Sequence, residues 1–238
     1  MAIGPDRTYQ ARVQTTAAEI DVGLREYMLR VYNYMVGGLA VTGLVAYFVS
    51  SSPALLQAIY GTPLQWVVML APLGFVLFFS VRIHKMSVGA AQAVFWAFAA
   101  VMGLSLAYIF VAYTGTSIAR VFFITAGTFA AMSLYGYTTK RDLSGFGSFL
   151  IMGLIGIIIA SLVNLFLQSS ALQFAISVIG VLVFTGLTAY DTQRIKEMYV
   201  AADGAAVMTK KAIMGALNLY LDFINLFIML LHLFGNRE

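Results

Sequence analysis

The chain has 238 residues, 61% of them hydrophobic and 10% charged, with a mean hydropathy of +0.88. Soluble domains carry about 25% charged residues, so this composition excludes an ordinary water-soluble globule and points to a membrane protein. The absence of cysteine excludes disulfides, thiolate metal sites and cysteine catalysis. The net charge of +4 is no nucleic-acid footprint, because the basic residues sit in short segments between apolar spans.

In chain order, residues 1–30 form a mostly polar tail of mixed charge, without the short apolar core and cleavage site of a signal peptide. Within it, Thr16–Arg30 reads either as an interfacial amphipathic helix, with Ile20, Leu24, Tyr27 and Met28 on one side, or as a solvated tail. A bilayer core of about 30 Å takes about 20 apolar residues in a helix. On that measure seven spans are predicted: Val31–Ser51, Pro63–Val81, Ser87–Tyr113, Ile118–Thr138, Phe146–Leu167, Leu172–Asp191 and Ala212–Phe234. The connections Ser52–Thr62, Arg82–Met86, Thr114–Ser117, Thr139–Gly145 and Gln168–Ala171 are short, and only Thr192–Lys211 is expected to hold structure of its own. The expectation is an all-α membrane protein, one seven-transmembrane-helix bundle over 31–234, with 235–238 as a short tail.

Basic residues are distributed by side. Arg7, Arg12, Arg25 and Arg30 lie in the N-terminal tail; Arg82 and Lys85, Lys140 and Arg141, and Arg194, Lys196, Lys210 and Lys211 lie in the second, fourth and sixth connections. Only Arg120 and Arg237 of the 14 fall on the other side. The positive-inside rule then puts the N-terminus in the cytoplasm, and seven spans put the C-terminus outside. Basic clusters closing the second, fourth and sixth spans read either as three helical hairpins plus a lone seventh helix, or as the consequence of any alternating topology.

Asp222 lies in the middle of Ala212–Phe234, the one acid deep inside an apolar span. A carboxylate near a bilayer centre costs roughly 2.5–3.5 kcal/mol on insertion scales, which marks it for a function. At 3.6 residues per turn Gly215, Asn218, Asp222, Asn225, Met229 and His232 form one stripe, mostly polar on an otherwise apolar helix. Lipid cannot satisfy such a face. Asn218 and Asn225 are read chiefly as interhelical glue, and secondarily as support for the acid. The partner expected for Asp222 is Asp191, which follows Ser177, Thr185 and Thr188 at near-helical spacing; Asp191 also reads as an interfacial residue paired with Arg194 or Lys196. Depth separates the two acids: at 1.5 Å per residue Asp222 lies about 15 Å in from Lys211, and Asp191 about 5 Å in from Arg194. They meet only if the sixth span tilts or runs on through Met198. Two carboxyls in contact in low dielectric share a proton, and their oxygens suit a hard cation such as Ca²⁺. A pH-gated cation pathway follows, with Arg82 either latching the unprotonated pair by a salt bridge or snorkelling as a plain anchor.

Four segments carry a resemblance: Val31–Met35 with Gly37, Gly38 and Thr42; Ala131–Leu143 (AMSLYGYTTKRDL) with Ser144, Gly145 and Gly147; Thr188–Lys196 (TAYDTQRIK); and Ala216–Leu226 (ALNLYLDFINL). From about Arg25 to Leu231 the chain resembles the Bax inhibitor-1, or transmembrane Bax inhibitor motif, family in its bacterial inner-membrane branch. The resemblance implies a bundle with the seventh helix central, ringed by the other six. It also implies a pH-dependent calcium leak in which Asp191 and Asp222 share a proton, serve as the pH sensor and metal-binding pair, and are latched by Arg82. Ca²⁺ as the specific ion comes from the resemblance alone. An acid that some relatives carry in the second span is missing here, where Leu70-Ala71-Pro72-Leu73 brings a proline instead.

Rival classes fit less well. An intramembrane aspartyl protease would use Tyr190-Asp191 and Asp222, but Leu219-Tyr220-Leu221-Asp222 replaces its Gly-x-Gly-Asp. A retinal pump needs a lysine inside the seventh span, and none is there; His84 and His232 stand in no hydrolase motif. No catalytic residue and no cofactor are expected. The partners expected are the bilayer, Ca²⁺ and protons, with no nucleic acid. The alternative is a non-transporting regulator that binds a membrane protease or another membrane protein.

Overall fold

The protein, as a computed structural model, is described for the backbone of residues 5–237 and for side chains from Val22 onward. Helix α1 runs unbroken over Pro5–Ser50, and its membrane-length apolar part begins at Val22. Tyr27 and Met28 are buried in the bundle, so this stretch packs on protein and does not lie free in an interface; Ile20 is outside the described side chains. The first connection is not a plain link. Ser52 accepts the Leu55 N–H and Pro53 opens the first turn, which together start a short helix α2, Pro53–Tyr60.

Helix α3, Leu64–Arg82, passes through a 3₁₀ turn, Ile83–Lys85, to α4, Val88–Leu106, and a single turn α5, Ile109–Ala112. There follow α6 (Gly115–Thr138), α7 (Ser144–Leu167), α8 (Ser170–Glu197) and α9 (Ala205–Phe234). Ser87, Thr114 and Ser169 cap α4, α6 and α8 by accepting N–H groups of the first turn. Helix α8 continues through Glu197 and α9 begins at Ala205, so the expected structured loop Thr192–Lys211 is two helix ends and a short link.

Seven of the described helical segments are long and apolar enough to cross a membrane, which makes this an all-α membrane protein. Helix α9 is the central one: 67% of its apolar window is buried, against 11% for α7. It packs on α1, α4, α6 and α8, while α3 joins through α4 and α7 through α8.

Two interruptions show how backbone groups are satisfied where water is absent. Pro72, inside α3, has no N–H for the Val68 carbonyl one turn earlier. Ser105 of α4 supplies the missing donor, its Oγ bonding the Val68 oxygen. Between α4 and α5 the chain breaks at Ala107–Tyr108; there the Tyr60 hydroxyl donates to the Leu104 carbonyl at 2.5 Å and accepts the Tyr108 N–H at 3.3 Å. That pairing is what α2 is placed to deliver.

At the basic end, lysines donate to carbonyls at helix ends: Lys196 to Tyr137 (2.8 Å), Lys210 to His84 (3.2 Å) and Lys211 to Met198 (2.8 Å). Lys211 also pairs with Asp203. A testable consequence concerns Pro72. Ser105→Ala strands the Val68 carbonyl and is expected to cost about 1–3 kcal/mol. In a Pro72→Ala background, where residue 72 supplies its own N–H, the same change is expected to cost far less. Unfolding titrations in detergent on the four-member cycle read the difference.

Candidate functional site

The polar stripe of α9 faces α8. Working along the antiparallel pair, Gly215 lies against Ile195, Met229 against Gly180, and His232 Nδ1 is 3.2 Å from Gln173 Nε2. Between these contacts the Asp222 and Asp191 side chains meet within hydrogen-bonding reach. Asp222 is 5% exposed, and its Oδ2 meets no N–H or hydroxyl donor among the described residues. The depth difference is narrowed by the extension of α8 to Glu197, which brings Met198 to the level of Lys211. That extension is held by side chains beyond Asp191. Gln193 donates to the Arg141 carbonyl (2.8 Å) and accepts the Leu143 N–H (2.9 Å), while Lys196 reaches the Tyr137 carbonyl. Asp191 is therefore not the interfacial half of an ion pair with Lys196 or Arg194: Lys196 is engaged elsewhere, Arg194 is exposed, and among the described residues the one ion pair is Lys211–Asp203.

The other residues singled out stand further back. Arg82 is exposed at the end of α3 and pairs with neither acid, so no latch is formed in this state. Asn225 spends its amide N–H on the Leu221 carbonyl of its own helix (2.8 Å), and Thr188 Oγ1 donates to the Phe184 carbonyl (2.8 Å). Asn218 is half-buried and has no side-chain hydrogen bond among the described residues. Neither asparagine bonds the carboxyls. Among the described residues no three His, Asp or Glu side chains gather into a metal cluster.

Two hydroxyl chains absent from the sequence reading tie the acid-bearing helices to α1. Tyr220 OH lies 2.7 Å from Thr42 Oγ1, which donates to the Ala99 carbonyl at 2.8 Å, joining α9 to α1 and α4. Tyr32 OH lies 2.6 Å from Ser133 Oγ, itself 2.9 Å from Thr192 Oγ1, which donates to the Thr188 carbonyl at 2.7 Å; this chain joins α1, α6 and α8 beside Asp191. Tyr220 points away from the stripe, so helical periodicity centred on Asp222 passes over it. Yet Tyr32, Thr42, Ser133, Thr192 and Tyr220 all fall in the four segments by which the chain resembles its family.

Over residues 24–238 the chain matches the family described as "Inhibitor of apoptosis-promoting Bax1". It is 51% identical over 232 residues to the uncharacterized protein RP147 of Rickettsia prowazekii, covering 97% of this chain and 98% of that one. It is 50% identical over 219 residues to the inner membrane protein YbhL of Escherichia coli K12, covering 91% and 94%. An uncharacterized membrane protein of Streptococcus pyogenes is 37% identical over 220 residues, covering 92% and 96%.

The first hydroxyl chain makes an ordered prediction. Thr42→Val removes the donor to Ala99 and leaves the buried Tyr220 hydroxyl alone, whereas Tyr220→Phe leaves Thr42 still bonded to Ala99. Thr42→Val is expected to cost about 1–2 kcal/mol and Tyr220→Phe about 0.5 kcal/mol, measured by unfolding in detergent.

Proposed function

The chain belongs to the Bax inhibitor-1 family, and we propose that it is a pH-sensitive leak for Ca²⁺ or a related cation in the bacterial inner membrane. In this reading its N-terminus is cytoplasmic and its C-terminus outside. The observation that carries the reading is the meeting of Asp191 and Asp222 in the α8–α9 seam. A hydrogen bond between two carboxyls needs a proton on one of them. If both ionise side by side in a low-dielectric seam they repel strongly. Proton loss therefore sets α8 against α9 unless a cation takes the proton's place. Protons and cation compete for the same oxygens, which is how pH acts on permeation. The pair does not by itself make a resident Ca²⁺ site, because such a site takes six to eight oxygens and among the described residues no third carboxylate or imidazole joins the two acids. A sparse site of this kind suits an ion in transit, which must also leave.

The regulator reading draws on a different feature. Helices α1 and α6 both pack on α9 and leave between them an apolar groove of about 1100 Å³ open to the bilayer. Ala40 and Gly43 line one wall and Ala126 and Ala130 the other, the small residues that transmembrane helices use for close packing. A membrane-protein partner captured equally by wild type and Asp222→Asn, with no ion flux from either, would favour it.

The deciding experiment is Ca²⁺ flux into proteoliposomes from about pH 5 to about pH 8. Wild type is expected to carry a pH-dependent flux and Asp222→Asn to lose the pH response; no flux above empty liposomes at any pH overturns the leak. Asp142, in the connection between α6 and α7, provides the control. The Ser144 hydroxyl and backbone N–H beside it hold its carboxyl below the ordinary carboxylate range. Its stabilising contribution is thus present above that range and lost only as pH falls through the depressed value. Asp142→Asn is expected to leave the pH response where it was.

A further inference from the structure

At the end of the bundle away from the lysine-capped helix ends, a polar pocket of about 410 Å³ opens where α8 begins and α9 ends. Asn164, Gln173, Ser177, His232 and Arg237 are in its walls. Gln173 bridges them, accepting from Asn164 Nδ2 at 3.3 Å and lying beside His232. Arg237 is drawn aside: its guanidinium sits 5.7 Å over the Tyr113 ring, and Asn236 next to it is bonded through its backbone to Thr114 (3.1 Å) and Ser117 (2.9 Å). The pocket thus offers amide, hydroxyl and imidazole groups, with the Arg237 guanidinium held against an aromatic face.

From this pocket the α9 stripe runs inward through His232, Met229, Asn225 and Asp222. On α8 the facing positions at helical spacing are Gly180, Phe184, Leu187 and Asp191. Phe184 and Leu187 are buried. Met229 fills the place where residue 180 has no side chain; a Cβ there would come within 2.8 Å of the Met229 Cγ and Sδ. Met229 on Gly180, and then Phe184 and Leu187 about 6 and 10 Å further along α8, therefore place apolar side chains between the pocket and the carboxyl pair. Past these side chains Asp222 Oδ2 is buried and meets no N–H or hydroxyl donor among the described residues, so the proton shared with Asp191, water or a cation completes it. Methionine is unbranched and flexible, so it can leave such a position by rotamer change alone, and an apolar constriction of this kind gates by excluding water.

We infer that the α8–α9 seam is the route for water and cations between this pocket and Asp222, with the pocket as its outer vestibule and Met229, seated on Gly180, as its plug. The inference deepens the leak reading and, as an ion route, rests on it. The absence of native cysteine makes the test direct, since a thiol introduced at one position reports on that position alone, and it reacts as thiolate only where water reaches. Full-length protein in liposomes would be treated, from the side of its C-terminus, with a membrane-impermeant cationic methanethiosulfonate.

His232→Cys is expected to react and Asn225→Cys to be protected. Adding Met229→Ala to Asn225→Cys is expected to speed its labelling about tenfold. Met229→Leu, which conserves volume, is expected to keep the protection and to show that the effect is not loss of fold. Met229→Ala alone is expected to raise Ca²⁺ flux severalfold. Labelling of Asn225→Cys that is the same with Met229, Leu or Ala at position 229 overturns the route, even where wild type carries a pH-dependent flux. Labelling gained with Met229→Ala while no variant passes Ca²⁺ keeps the seam as a water path and overturns the leak instead.

Discussion

An acid placed in the middle of a membrane helix has to be met by another helix, and the arrangement of this bundle follows from how Asp222 is met. Its position gives α9 a polar face that lipid cannot solvate. That face is closed by α8, through small residues that allow approach at Gly180 and Gly215 and through the second carboxyl at Asp191. With one face committed to α8, the rest of α9 packs on α1, α4 and α6, and the helix becomes the axis of the protein. Helix α7, which meets the core chiefly through α8, can stay apolar on almost every side.

The same constraint recurs wherever a backbone group is freed. Ser105 answers the carbonyl that Pro72 cannot, and Tyr60 answers the break before α5. In water either gap would be filled by solvent at little cost; in a bilayer each needs a donor from a neighbouring helix. These cross-helix hydroxyls, with Tyr220–Thr42 and Tyr32–Ser133–Thr192, fix the helices against one another by geometry more than by energy, since such bonds average about 0.6 kcal/mol in membranes. Helix α1 takes part in two of them and so anchors both acid-bearing helices.

The seam between α8 and α9 joins chemistry to architecture. It holds a carboxyl pair that needs a proton or a cation, an apolar layer at Met229, and a polar pocket beyond. Charge and packing are thus arranged along one helix pair. At the other end Lys196, Lys210 and Lys211 are engaged with helix-terminal carbonyls, and Arg82 stands exposed, paired with neither acid of the seam.

The sequence by itself determined what depends on local composition and helical period: seven apolar spans, an all-α membrane class, the asymmetry of basic residues, and one polar stripe with Asp222 at its centre. Hydropathy and 3.6-residue spacing are properties of adjacent residues, so these needed no knowledge of neighbours. Only the tertiary structure decided that the stripe meets α8, and that Asp191 is deep enough to touch Asp222. The depth of Asp191 depends on Gln193 and Lys196 finding carbonyls on the α6–α7 side, which carries α8 past the basic residues that mark its end in sequence. The tertiary structure likewise decided that Arg82 stands apart and that Asn225 turns to its own backbone. The hydroxyl chains and helix α2 also became visible only in three dimensions. A polar pattern says which face must be covered; which residue covers it is set by packing between segments far apart in the chain, and that information is not local.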